Sequence, residues 1–152
     1  MPPGKQNISL LPTKKLAWVF LIFLLIFDAV VSYYGIKYFH AREVDLLIAP
    51  LVEKYPILYF PIIPLEFIIM FLIVRTIKKV AAKSLKTASE DLIERIVLGA
   101  TVIYWAVGNS SANLVFLLGF RISNIWLYTT STAIPVTLFY LLYMLLQVRK
   151  MD

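Results

Sequence analysis

The sequence predicts an all-α, polytopic membrane protein: four transmembrane helices in a single domain, with a short interfacial outer segment. Three observations lead there. Of the 152 residues, 61% are hydrophobic and only 16% charged, and the mean hydropathy is +0.81, whereas soluble domains are about half apolar. Four apolar runs each approach the roughly 20 residues that a bilayer crossing requires. Lysine and arginine are segregated between the two sides of those runs. Eleven fall in the N-terminal tail, the middle connection and the C-terminal tail, and four fall in the other connections. The net charge of +6 therefore reads as a topology signal, with both termini cytoplasmic in the cell membrane, and not as a nucleic-acid surface.

The first run, Leu16 to Tyr34, holds one charge, Asp28. It is too long for a signal-peptide core, and no small-x-small cleavage site follows, so it is expected to remain as a span. The second covers residues 57–74 and is interrupted by Pro61, Pro64 and Glu66. The third and fourth cover about 96–120 and 125–148. The few residues between them, Arg121 to Asn124, force these two helices into an antiparallel neighbouring pair. Residues 1–13 form a tail expected to be loose, with Pro2, Pro3, Gly4 and Pro12. An Asn7-Ile8-Ser9 sequon in it would face the cytoplasm.

In the connections, Thr87 with Glu90 fits a capping box for the third helix, and Asp91 and Glu94 suit a helix N-terminus. The Lys/Arg series from Arg75 to Lys86 is expected to set topology and to meet anionic headgroups. The outer connection contains an apolar stretch, VDLLIAPLV, too short to span. It is expected to lie in the interface or to fold back as a short helix. Tyr33, Tyr34, Tyr38, Tyr55, Tyr59, Trp126 and Tyr128 would form an outer aromatic belt.

Composition excludes much chemistry. There is no cysteine and one histidine, His40, which removes disulfides, thiol catalysis, thiolate metal sites and multi-histidine centres. No cofactor, metal site or catalytic residue is expected. The spacing His40-x-x-Glu43-x-Asp45 reads as a solvated loop.

Polar groups within the spans are costly and therefore informative. At about 1.5 Å per residue from the outer helix ends, Asp28, Glu66, Asn113 and Thr129 to Thr132 all lie about 6–10 Å deep, with Asn109 one turn deeper. Asp28 and Ser32 share one face of the first helix, and Asn109 and Asn113 one face of the third. Pro64 and Pro135 each free a carbonyl. The expected site is an outward-facing polar pocket of Asp28, Ser32, Glu66, Asn109, Asn113, Thr129 and Thr132. Its oxygen-rich lining suits protons or hard cations, although two buried carboxyls and their hydrogen bonds can equally be structural. Lys37 and Arg121 could reach in as counter-ions. Gly108 and Ala112 form a small-xxx-small pair that admits another helix.

The layout resembles a group of small, uncharacterised prokaryotic membrane proteins of three to four spans, a domain of unknown function. Asp28 matches their acid late in the first helix, and Glu43-Val44-Asp45 matches the placement of their Glu-x-Asn-Pro element. Asp45-Leu46 stands where Asn-Pro would be, and Glu66 where a basic residue is usual. The resemblance covers about the first half of the chain and implies no known activity.

The function expected from these residues is a non-enzymatic membrane subunit or binding module, in contact with lipid and assembled as a homo-oligomer or within a larger complex. The alternatives are a small proton- or cation-coupled transporter and a membrane enzyme acting on lipid-borne substrates.

Overall fold

A computed structural model describes residues 11–41, 48–84, 89–120 and 124–149, without the side chains of Ser84 and Trp126. Among these residues every element is helical. Helix α1 (Lys14–Phe39) starts where the Thr13 hydroxyl accepts the Leu16 N–H at 3.3 Å. It stops at His40, whose φ of 51° is left-handed, a conformation that histidine tolerates better than most residues. The single histidine thus ends a helix, while Glu43 and Asp45 lie outside the described residues. A short helix α2 (Ala49–Val52) and a 3-10 turn (Pro56–Leu58) lead into α3 (Tyr59–Ser84). Helix α4 (Glu90–Trp105), a π turn (Ala106–Ser110) and α5 (Ser111–Leu117) follow one another without a break. Helix α5 ends at Gly119, whose φ is 86°, as helices often end on glycine. Asn124 then opens α6 (Ile125–Arg149) by accepting the Leu127 N–H at 2.9 Å.

Three helical stretches, Lys14–Phe39, Pro56–Lys83 and Leu127–Arg149, are long and apolar enough to cross a membrane, which suits a multi-pass membrane protein. They outrun the apolar runs read from the sequence. Helix α3 continues past Val74 through Arg75 and Lys83, because Lys and Arg are good helix formers once outside an apolar layer. The expected cap of α4 is corrected. Ser89, not Thr87, accepts the Leu92 N–H, at 3.2 Å, and Thr87 itself lies outside the described residues.

Helix α4 is the hub. It packs against α1, α3 and α6, whereas α6 touches only α4, the π turn and α5 among its principal neighbours. Accordingly α4 buries a run of seven residues, Leu92, Ile93 and Ile96 to Ala100. Large apolar side chains on α1, α3 and α6 face outward, among them Phe23, Leu72 and Phe139. At one end of the molecule Leu11 enters a cluster with Leu92, Ile96, Met144 and Val148. Arg95 donates to the carbonyls of Leu11 at 2.7 Å and Pro12 at 3.2 Å, so this part of the tail is held rather than loose. The described chain therefore begins and ends at the same end of the helices. That end is also basic and cross-tied. Lys14 pairs with Asp91 at 2.8 Å and Glu94 at 3.5 Å, and Lys78 pairs with Glu94 at 3.1 Å and Glu90 at 3.6 Å.

At the opposite end the connection folds back. Val52 of α2 is fully buried in a cluster with Ala29 and Tyr59. Tyr59 is thus a core residue and not part of a belt. Tyr33, Tyr34 and Tyr38 do form a ladder, with Lys37 donating to the Tyr33 hydroxyl at 2.7 Å and lying over two of the rings.

Between α4 and α6, Tyr140 lies so close to Gly99 that a Cβ there would collide with its hydroxyl. That hydroxyl is buried, with no hydrogen-bond partner among the described residues. Tyr140→Phe removes an unsatisfied group while keeping the ring. It is expected to leave thermal stability unchanged or to raise it by up to about 1 kcal/mol, measured by unfolding in mixed micelles. A clear loss would mean that the hydroxyl bonds something after all.

Candidate functional site

Asp28 is the centre of the one cross-helix polar cluster that the described residues form near mid-chain of α1. Its carboxylate accepts two side-chain hydrogen bonds from the far side of the helix pair. The Trp105 indole Nε1–H donates to Oδ2, and the Asn113 amide donates to Oδ1 at 3.0 Å. Ser110, 4% exposed, faces the same carboxylate without a formed hydrogen bond. Among the described residues no lysine or arginine pairs with Asp28.

The π turn explains how both donors reach one carboxylate. Trp105 and Asn113 are eight residues apart, and in a regular α-helix they would point about 80° apart. The π turn accommodates one extra residue, marked by the Ser111 N–H bonding back to the Ala106 carbonyl. The spacing then behaves as seven, about 20° from alignment. Asn109, expected beside Asn113, falls within the π turn itself. It is half-buried and is not among the partners of Asp28. Trp105 replaces it, and sequence reasoning missed that residue because it assumed one helical period throughout.

Loosened carbonyls in the π turn find donors nearby. The Ser111 hydroxyl donates to Val107 and, at 3.1 Å, to Gly108, and lies 3.2 Å from the Tyr128 hydroxyl. Gly108 lets the turn press onto α6. A Cβ there would meet Thr129 Cγ2 at 2.8 Å and the Ala133 Cβ at 3.1 Å. Thr129 is therefore a packing partner of Gly108 and is buried. Thr132 returns its hydroxyl to the Tyr128 carbonyl at 2.7 Å, with a long 3.5 Å contact to Val107. The Gly108–Ala112 pair is thus used within the chain, both residues being buried.

Neither Ser32 nor Glu66 is one of the two donors to Asp28 described above. Ser32 is half-buried one turn beyond Asp28. Glu66 is half-buried on α3 and engaged in contacts of its own. Its neighbour Phe67 packs on Trp18 with ring centroids 5.4 Å apart. Lys37 is held by the tyrosine ladder, and Arg121 lies outside the described residues. No group of three or more His, Asp or Glu suited to a metal ion occurs among the described residues. A cavity of about 220 Å³ lies at the basic end, lined by Trp18, Phe71, Val74, Arg75, Lys78 and Glu94.

No protein-family model matches the chain, and no curated protein or solved structure matches it significantly.

Proposed function

We propose that the chain is a four-pass protein of the cell membrane with both termini cytoplasmic, acting as a non-enzymatic binding module within an oligomer or larger assembly. Its working group is the Asp28 carboxylate, which takes up a proton or small cation. The observation that carries this reading is the clamp itself: an acid within an apolar helix, held by two neutral donors beside a π turn, with no basic side chain paired to it among the described residues. Acids inside spans are functional by default, and π turns concentrate at functional sites.

The fourth crossing rests on parity. Leu11 and Val148 share a cluster, so an odd number of crossings would separate them. The continuous helix of residues 90–117 is about 42 Å long at 1.5 Å per residue, enough for a hydrocarbon core of about 30 Å. The basic residues gathered at the shared end support a cytoplasmic assignment for it. A second reading, a proton- or cation-coupled transporter working as an oligomer, is favoured by three potential flexing points: Pro64 in α3, Pro135 in α6 and the π turn.

Trp105 reports directly on Asp28. With Trp18→Phe and Trp126→Phe it becomes the single tryptophan. Its emission in micelles is expected to change as pH or cation concentration is titrated, and to stay flat when Asp28→Asn is added. A flat response with Asp28 present, together with early melting of the Asp28→Asn protein, would make the carboxylate a structural tie and sink the binding role.

A further inference from the structure

We infer that the cavity at the basic end is a headgroup site for an anionic phospholipid, with the Arg75 guanidinium taking the phosphate. This rests on the membrane reading above but not on the role of Asp28.

The three charged side chains that line the cavity, Arg75, Lys78 and Glu94, sum to +1. Lys14 and Lys78 are committed to Glu90, Asp91 and Glu94. Arg75 is exposed and has no ion pair among the described residues. Its guanidinium lies over the Phe71 ring, 6.0 Å from the centroid. A guanidinium at the rim of a cavity offers planar, forked donors matched to phosphate oxygens. Below it the lining changes to Trp18, Phe71 and Val74, and Phe71 and Leu72 continue outward as exposed apolar surface. Cationic above and apolar below is the profile of a lipid, whose phosphate and acyl chains are joined in that order. A free phosphate would have no use for the aromatic floor. The depth also fits, because the cavity lies where α3 passes from apolar residues to its basic extension.

The test uses the full chain in lipid nanodiscs. Carbonate-resistant incorporation into phosphatidylcholine discs is checked first, and failure there overturns the membrane reading and this site together. Retention of phosphatidylglycerol against phosphatidylcholine is then read by native mass spectrometry after partial delipidation. Arg75→Gln is expected to reduce phosphatidylglycerol retention about fivefold, as the loss of one interfacial cation implies. Lys79→Gln removes the same charge from the neighbouring exposed position, which does not line the cavity, and is expected to change retention much less. Inorganic phosphate is expected not to displace the lipid. Equal losses in the two variants would reduce the effect to general surface charge. Equal retention of the two lipids, or full displacement by inorganic phosphate, would likewise overturn the lipid site.

Discussion

Removing both donors to Asp28, by Trp105→Phe with Asn113→Leu, is expected to cost about 3 kcal/mol, because it leaves a half-buried charge with only the Ser110 hydroxyl facing it. Each single variant is expected to cost about 1.5–3 kcal/mol, the range for hydrogen bonds to charged groups. Adding Asp28→Leu to the double variant should then return most of the loss, since replacing a whole buried polar cluster by apolar groups is close to neutral. Chemical unfolding in mixed micelles measures all four proteins. The contrast is diagnostic because the two donors and the acceptor come from different helices. Neutral interhelical hydrogen bonds in membranes average only about 0.6 kcal/mol. Single variants that lose no more than this would show that the carboxylate is protonated or that another group serves it.

The second large effect is expected at Gly108. Leucine there cannot fit, since even its Cβ would stand 2.8 Å from Thr129 Cγ2 and 3.1 Å from the Ala133 Cβ. Both contacts belong to α6, which packs on α4, the π turn and α5. Gly108→Leu is therefore expected to cost more than about 3 kcal/mol, above the ordinary range for overpacking, by prising α6 from the hub. Alanine is a milder case. Its overpacking, about 1–3 kcal/mol, is partly offset by about 1 kcal/mol of helix propensity. Pairing Gly108→Ala with Thr129→Ser removes the Cγ2 methyl and should recover most of the loss. Protease accessibility of α6 together with thermal unfolding would measure it, and additive losses in the pair would mean that the close approach is not the cause.

These two sites also show what was legible in the sequence. Asp28 stood out because a lone acid in an apolar run has an obvious cost, and Asn113 because amides are rare at such depth. Trp105 did not stand out. A tryptophan in a span reads as apolar bulk, and only the π turn brings its N–H into register with Asn113. Nothing in Ala106-Val107-Gly108-Asn109-Ser110 announces that turn, since the choice between α and π hydrogen bonding is settled by what packs around it. Gly108 was recognised as a place of close approach, but spacing on one helix cannot say whether the visitor belongs to the same chain. The helical class followed from composition together with the length of the apolar runs. The helix ends did not, because α1 and α3 persist through polar residues that a hydropathy reading takes as boundaries, and the capping box at Thr87 drew attention away from Ser89. The ion pairs of Lys14 and Lys78 with Glu90, Asp91 and Glu94 join residues far apart in sequence, so the lysines read as topology signals and the acids as features of their own helix N-terminus.

The clamp has a consequence for how the protein is made. Trp105 follows Asp28 by 77 residues. At about 5–20 residues per second, ribosomal synthesis needs roughly 4–15 s to supply it. During that interval α1 has left the ribosome carrying an acid whose partners do not yet exist. Entry of such a residue into the hydrocarbon is opposed by about 2.5–3.5 kcal/mol. On the proposed membrane reading, helix α1 must be apolar enough to insert against that penalty, or must wait beside the insertion machinery until α4 arrives. The hub helix thus acts as a late signal, and a nascent chain stalled before residue 105 is expected to be the species that quality control recognises.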